Sequence, residues 1–218
     1  MINWGLKIGI YMFRLILATA VFYSVGCSVA KTPAIDELSE KTRTLVHYCQ
    51  SCHSNKEMQR GPLLEGLELW YMEKSVLDFK KGIRGGNPED KSGQLMYSAV
   101  KDLSQEDLIE AVRWFAGQPR PKIKAYIKGD TITGQKLYKD NCFGCHEHTM
   151  GKFFSESPDL YKLEDWYVLS QLRGFKSKVR GSHPEDERGL SMQTGVQHLT
   201  SEDFKAIIAF LATFQERP

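Results

Sequence analysis

Hydrophobic residues recur every three to four positions in two segments of the chain, which predicts an amphipathic helix in each. They are Leu108, Val112 and Phe115 in one segment and Phe204, Ile208 and Leu211 in the other. A Ser or Thr with an acidic residue three positions later precedes each segment, at Ser104 and at Thr200. This pattern is typical of a capping box, so we expect a helix to start at each of these two residues.

Two further helices are predicted on each side of the chain centre, and no segment shows the alternation of a strand. The first helices cover roughly residues 36–48 and 132–141, and the middle helices begin near Trp70 and Trp166. A loop rich in Gly and Pro is expected to carry Met96 and its counterpart in the second half. The predicted fold class is therefore all-α, with three to four short helices in each of two tandem units.

The chain also repeats itself, because residues 60–118 align without a gap on residues 156–214. Matching positions include Pro62 and Pro158, Glu68 and Glu164, Trp70 and Trp166, Arg84 and Arg180, and Met96 and Met192. Two units of this size are two copies of one small domain rather than a solenoid. We place the first domain at residues 31–118 and the second at 123–218, joined by a stiff, Pro-rich linker at 119–122.

Each unit has a thin core for its size. A domain of about 90 residues with three short helices and long loops buries little apolar surface. A large apolar ligand at the centre of each unit would supply the missing buried surface. The thin core of each unit therefore predicts a cofactor independently of any motif.

The composition is that of a soluble globular chain, with 41% hydrophobic and 26% charged residues. Basic and acidic residues balance once the first 30 positions, which hold Lys7 and Arg14 and no acid, are set aside. The sequence contains no basic run and no basic stripe. We therefore do not expect the protein to bind nucleic acid.

Residues 1–30 have the pattern of an export signal or an anchor. Lys7 and Arg14 precede an apolar stretch at 15–25 that is short for a transmembrane span. Three endings fit the sequence: cleavage before Lys31, lipidation at Cys27, or an uncleaved membrane anchor. Each places the rest of the chain outside the cytoplasm, so we expect a periplasmic protein, either free or tethered through its N-terminus.

Two Cys-x-x-Cys-His motifs occur at equivalent repeat positions. They comprise Cys49, Cys52 and His53 in the first half and Cys142, Cys145 and His146 in the second. Two cysteines at this spacing lie on one side of a helix start and can form thioethers with neighbouring vinyl groups of a haem, while the next residue directs its imidazole at the iron. The motifs therefore predict two covalently attached haem c groups.

A zinc site, a redox pair or two disulfides would explain fewer features of the two motifs than covalent haem does. A four-cysteine zinc site would leave both motif histidines unused and would join pairs from separate repeats. A thioredoxin-like redox pair expects a βαβ setting, which the helical pattern does not provide. Two disulfides would suit an exported chain, although each would be strained at this spacing.

Met96 and Met192 are the candidates for the sixth ligand of each iron. They lie 43 and 46 residues after the motif histidines and are expected in a loop before the last helix. Thioether sulfur favours ferrous iron and raises the reduction potential. Met58, Met72 and Met150 have no Met counterpart in the other repeat, which suits a core-filling role.

The remaining histidines are His47, His148, His183 and His198, and none has a counterpart in the other repeat. We expect surface or packing roles for them. The alternative is a haem with two histidine ligands that uses one of them. The aromatic pairs that are expected to wall a haem or to cap a helix are Trp70-Tyr71 and Trp166-Tyr167.

Two pairs of equivalent residues are candidates for contacts around the haems. A backbone carbonyl at Pro62 or Pro158 could accept the Nδ1–H of the iron histidine and fix its ring, although these residues could also be ordinary loop prolines. Arg84 and Arg180 could pair with haem propionates, or they could be solvated arginines before a turn.

Through the two motifs, the loop prolines and the late methionines, the chain resembles the class I c-type cytochromes, and above all the tandem dihaem carriers of the cytochrome c4 type. The resemblance extends from about Ile35 to the C-terminus, and the segments between the motifs are also similar to cytochrome c domains of some terminal oxidases. It implies two class I domains wrapped around covalent haem, with His/Met ligation. In the family a Gly in the first helix lets the last helix cross closely. Gly134 matches it, but Lys41 replaces it in the first half, where a looser crossing is expected.

The resemblance implies a periplasmic electron carrier that delivers electrons towards a respiratory complex or a terminal oxidase. Such a chain is not an enzyme by itself, because two six-coordinate irons offer no open site to a substrate. One alternative is a haem-bearing subunit of a larger dehydrogenase or oxidase complex. A dihaem peroxidase needs an open distal face, which two matching methionines disfavour, and no signalling domain supports a gas or redox sensor.

Overall fold

The computed structural model describes residues 32–54, 59–147 and 149–215, and every regular element within these ranges is helical. The expected all-α fold is therefore confirmed. Residues from Thr32 onward form one compact unit. None of the helices in the described ranges is both long and apolar enough to cross a bilayer. The expected N-terminal signal with Cys27, and the expectations for Met58 and His148, lie outside the described residues.

The described part of the first half forms four α-helices. They are α1 (Glu40–His53), α2 (Leu69–Lys80), α3 (Lys91–Val100) and α4 (Gln105–Ala116), and a 3-10 turn at Ile35–Glu37 precedes them. Helix α1 begins after Ser39, whose hydroxyl accepts the N–H of Thr42, and it continues through the cysteine pair. Helix α1 therefore begins and ends later than the sequence pattern predicts. Ser104 caps α4 as expected, accepting the N–H of Asp107 at 3.2 Å.

The second half repeats this order with a divided first helix. Its helices are α5 (Thr131–Asn141), α6 (Phe143–His146), α7 (Thr149–Ser155), α8 (Asp165–Lys176), α9 (Glu187–Val196) and α10 (Ser201–Gln215), with a 3-10 turn at Leu160–Lys162. The capping box at Thr200 is complete, because its hydroxyl accepts the N–H of Asp203 at 3.1 Å and the Asp203 carboxylate accepts the N–H of Thr200 at 2.7 Å. The second half therefore starts its last helix as the sequence predicts.

Both late methionines lie on helices, so the expected loop position is wrong. Met96 lies on α3 and Met192 on α9. Asp90 and Asp186 cap these helices, and each carboxylate accepts the N–H of the glycine three residues later at 2.8 Å. The Gly and Pro residues that suggested a loop mark the turn before the cap, and a short helix comes next because the cap satisfies its first free N–H groups.

The first and last helices of each half cross and hold the core, in which Phe115 and Phe204 are fully buried. In the second half a Cβ at Gly134 would lie only 2.0 Å from the carbonyl oxygen of Ala206, so only glycine allows α5 and α10 to approach this closely. In the first half Lys41 is exposed and forms an ion pair with Asp107 at 2.7 Å, and α1 and α4 make less extensive contact. The expected difference between the two crossings is therefore observed.

Candidate haem sites

The two motif histidines are buried at the ends of α1 and α6, and a proline carbonyl holds each ring. Nδ1 of His53 lies 2.7 Å from the carbonyl oxygen of Pro62, and Nδ1 of His146 lies 2.9 Å from that of Pro158. A carbonyl oxygen can only accept a hydrogen bond, so Nδ1 carries the proton in both rings. Nε2 of each ring is then left with the lone pair that a metal ligand needs.

The opposite nitrogen of His146 lacks a partner. Its Nε2 is buried and has no hydrogen bond within the described residues, and such an unsatisfied group is costly in a folded protein. Burial lowers the pKa of both His53 and His146, and the hydrogen bonds to the proline carbonyls offset this effect only in part. Both rings are therefore neutral, and the lone pair on Nε2 can bind a metal such as haem iron.

The loop after α1 packs directly against the ring of His53. The N–H groups of Arg60 and Gly61 both donate to the carbonyl oxygen of Cys52 at 2.9 Å, which folds the loop back onto the motif. A Cβ at Gly61 would lie 2.4 Å from Cε1 of His53. The loop thus fixes the plane of the ring through backbone packing as well as through the carbonyl of Pro62.

All four motif cysteines are free thiols in the described structure, not disulfides. Burial raises the pKa of Cys49 to about 11 and that of Cys142 to about 12, so neither is a reactive thiolate of the thioredoxin kind. Within the described ranges no three His, Cys, Asp or Glu side chains converge as a metal site would require. The two pairs therefore do not form a shared four-cysteine zinc site.

A cavity of about 320 Å³ opens beside His146. Its lining includes Cys142, Cys145, His146 and Met192, together with the apolar side chains Leu172, Phe175, Val196 and Ile207. An apolar hollow with two thiols, an imidazole and a thioether fits a covalently held haem. In the first half Met96 is half-buried and packs against the core. Ligation by either methionine stays a prediction.

Arg84 and Arg180 both line this cavity, and each guanidinium stacks on an aromatic ring. Arg84 lies 4.3 Å from the ring centre of Phe79, and Arg180 lies 4.3 Å from that of Phe175. Arg84 also donates to the Tyr167 hydroxyl at 3.1 Å. Nε of Arg180 is buried without a partner among the described residues, and burial together with the charge of Arg84 lowers the pKa of Arg180. Arg84 is buried and Arg180 is half-buried, and two positive charges near each other favour an anion between them. A carboxylate such as a propionate fits that requirement.

Three other histidines lie within the described residues. His47 and His198 are exposed and are hydrogen-bonded to Gln50 and Asn141, and His183 accepts the N–H of Glu185. None of these three histidines is part of the lining beside His146. Their positions fit surface and packing roles.

Glu68 and Glu164 are site residues that the sequence motifs did not identify, although the repeat aligns them. Each occupies the N-cap position of a middle helix, where Ser, Thr, Asp or Asn is usual, and neither side chain caps its own helix. A longer acid at a repeated cap position is the signal that could have found them. Each carboxylate instead accepts the N–H of the residue that follows the loop proline of the opposite half.

Comparisons with known proteins agree with this geometry. A family model described as cytochrome c matches residues 132–215. Cytochrome c4 of Azotobacter vinelandii is 25% identical over 177 residues, which cover 75% of this chain and 82% of that protein. The sequence match thus extends across both halves, whereas the family model covers the second half alone.

Solved structures show the same fold. Reduced recombinant cytochrome c4 from Pseudomonas stutzeri has a TM-score of 0.57 at 24% identity, covering 80% of this chain and 97% of that one. Cytochrome c4 from Acidithiobacillus ferrooxidans has a TM-score of 0.58 at 20% identity, covering 76% and 97%. Thiosulfate dehydrogenase from Marichromatium purpuratum has a TM-score of 0.58 at 21% identity over 80% of this chain, which spans only 40% of that chain. The resemblance recognised in the motifs is confirmed: the second half matches the cytochrome c family, and the chain is similar to cytochrome c4 in sequence across both halves and in fold.

Proposed function

We propose that this protein is a dihaem electron carrier in which each half holds one covalent haem c. His53 and Met96 would hold the iron of the first haem, and His146 and Met192 that of the second. Cys49, Cys52, Cys142 and Cys145 would form the thioether bonds. When bound, haem c supplies reversible one-electron chemistry between ferric and ferrous iron.

The observation that carries this proposal is the fixed state of both histidines. Each is buried and neutral, and each donates its Nδ1–H to a proline carbonyl, so that the opposite nitrogen is free to bind iron. Met192 lines the same cavity as His146 and is held on a helix. Ligands on rigid elements limit rearrangement between oxidation states, which suits a carrier. Cys145 is exposed, so a haem bound to it would be reachable by a redox partner from solvent.

We further propose that the protein works in the periplasm, between membrane-associated respiratory proteins. The pattern of residues 1–30 and the likeness to cytochrome c4 support this location and role. The balance of basic and acidic residues after position 30 predicts weak long-range steering of redox partners. Electron transfer to a partner should therefore depend only modestly on ionic strength.

A second candidate is a haem-bearing subunit of a larger oxidoreductase complex. The likeness to thiosulfate dehydrogenase favours it, because this chain matches part of a longer protein that carries that activity. Size-exclusion chromatography of the protein from its native membrane and soluble fractions separates the two candidates. A carrier elutes at the size of one or two copies, whereas a subunit elutes with an enzyme partner.

A carbon monoxide difference spectrum of the reduced, exported protein tests the carrier proposal. Two six-coordinate irons leave no site for the gas, so the proposal expects no spectral change in a haem-loaded sample. Carbon monoxide binding by the unaltered protein at either haem would reveal an open or labile position. That result would contradict the carrier proposal and favour an enzyme or a sensor.

A further inference from the structure

The peptide group between Pro62 and Leu63 is hydrogen-bonded on both sides. Its carbonyl oxygen accepts the Nδ1–H of His53 at 2.7 Å, and its N–H donates to Oε2 of Glu164 at 2.7 Å. Because a peptide is planar and conjugated, a carboxylate on its N–H increases electron density on its carbonyl oxygen. Glu164 therefore lies two hydrogen bonds from the ring of a histidine in the opposite half.

The charge of the Glu164 carboxylate is not neutralised by the described residues around it. The residue is only 6% exposed, and its other acceptor, Oε1, binds the neutral donors Gln59 and Trp166 at 2.7 and 3.2 Å. Arg120 lies near enough for its pKa to respond to Glu164, but its hydrogen bonds go to backbone carbonyls, including that of Leu63. Within the described residues Glu164 forms no ion pair, so its charge is not neutralised by direct contact.

The second half contains a weaker version of the same arrangement. The carbonyl of Pro158 accepts the Nδ1–H of His146, and the next N–H, from Asp159, donates to Oε1 of Glu68 at 3.4 Å. Glu68 belongs to the first half and aligns with Glu164 in the repeat. Two lysine amino groups share the same oxygen of Glu68; they belong to Lys152 and Lys162, at 3.1 and 3.5 Å. The longer bond and the two cations reduce the negative charge that this peptide receives.

We propose that Glu164 is a positioning residue that tunes the haem of the opposite half through the Pro62–Leu63 peptide and His53. Glu68 does the same through the Pro158–Asp159 peptide, with less effect. A stronger bond at Nδ1 makes the imidazole a better donor at Nε2, which stabilises ferric over ferrous iron. This inference rests on the proposed ligation by His53 and His146. The reduction potential of each haem would then depend on contact with the opposite half of the chain.

Potentiometric titration of the full-length haem-loaded protein, with each haem resolved by NMR, tests the proposal. Glu164→Gln should raise the reduced-to-oxidised ratio of the first-half haem by about threefold or more at a fixed poise and leave the second-half haem unchanged. The Nδ1–H resonance of His53 should move upfield as its hydrogen bond weakens. Glu68→Gln should give a smaller change, confined to the second-half haem.

Glu65→Gln is the matched control, because the charge of Glu65 also raises the pKa of His53 and no hydrogen bond joins Glu65 to the Pro62–Leu63 peptide in the described structure. Its effect on the first-half haem should be less than half that of Glu164→Gln. Equal effects from these two variants would overturn the proposal, as would an equal shift of both haems in Glu164→Gln.

A second variant tests the proposal if Glu164→Gln does not fold. Glu164→Asp keeps the charge but is one methylene too short to reach the N–H of Leu63. It should also raise the reduced-to-oxidised ratio of the first-half haem, and an unchanged ratio would overturn the proposal. An unaltered protein with no haem on His53 would instead refute the proposed function, so the two failures are distinguishable.

Discussion

Replacing Gly134 with Ala should destabilise the protein even though Ala is the better helix former. A Cβ at this position would lie 2.0 Å from the carbonyl oxygen of Ala206, 2.5 Å from its carbonyl carbon and 3.0 Å from Cβ of Phe210. None of these atoms is the end of a flexible side chain. Helices α5 and α10 would therefore have to separate by roughly 1.4 Å to restore an ordinary Cβ–oxygen contact.

The expected cost is the difference between two opposing terms. Overpacking costs about 1–3 kcal/mol, and contacts this short with backbone atoms place Gly134 in the upper part of that range, at about 2–3 kcal/mol. The better helix propensity of Ala returns about 0.8–1 kcal/mol. A net loss of about 1–2 kcal/mol lowers the Tm of a protein of this size by roughly 2–8 °C. Gly174 is the matched control, because it lies on α8 outside the cavity lining and an added Cβ would meet only Cβ of Arg180, at an ordinary contact distance of 3.5 Å. Gly174→Ala should be neutral or should stabilise by up to about 1 kcal/mol.

Thermal unfolding of the oxidised haem-loaded variants, followed by far-ultraviolet circular dichroism, measures both effects. The close crossing of α5 and α10 would be refuted as the cause if Gly134→Ala were as stable as the unaltered protein. It would also be refuted if Gly174→Ala lost as much stability as Gly134→Ala, because the damage would then not depend on the close contact.

Three further predictions address the haem sites and the charged network beside them. Met192→Ala should leave one iron without its sixth ligand, so that the reduced variant binds carbon monoxide. Met150 is exposed, and Met150→Ala should not bind the gas. Equal carbon monoxide difference spectra for the two variants would contradict ligation by Met192. Gly61→Ala should displace the ring of His53 and shift its Nδ1–H resonance, and an unchanged NMR spectrum would count against the packing described. Burial opposes ionisation of Asp159, but a hydrogen bond with Glu68 and contacts with Lys152 and Lys162 outweigh it and hold the pKa of Asp159 below the ordinary 3.8. The stability that this ionised carboxylate adds is complete above pH 3.8 and is lost as the pH falls further. In Asp159→Asn the Tm should therefore fall less steeply with decreasing pH than in the unaltered protein. An equally steep fall would contradict this role of Asp159.

Local patterns predicted the helices and the motif positions well, because they depend on spacing along the chain. The capping residues Ser104 and Thr200 and the repeat itself required no tertiary information. The loop assigned to Met96 was wrong because a capping aspartate turns a segment rich in Gly and Pro into a short helix. Gly and Pro mark where an element begins, but the hydrogen bond of Asp90 decides that the element is a helix.

Contacts between the halves could not be predicted from either half alone. The reach of Glu164 to the N–H of Leu63 depends on how the two copies dock, and no local rule predicts that a glutamate leaves its own helix start unsatisfied. The proximity of Arg84 and Arg180 is also a consequence of docking, although the repeat had already aligned the two residues.

The central claim is that each half of the chain holds one haem c through its own cysteine pair. The intact mass of the purified protein, measured after denaturation and acid extraction of loosely held haem, tests it most directly. Covalent attachment in both halves predicts a mass that exceeds that of the polypeptide by two haems, and by one haem when Cys142 and Cys145 are both replaced by Ala. An unaltered polypeptide that carries one haem or none would contradict the claim.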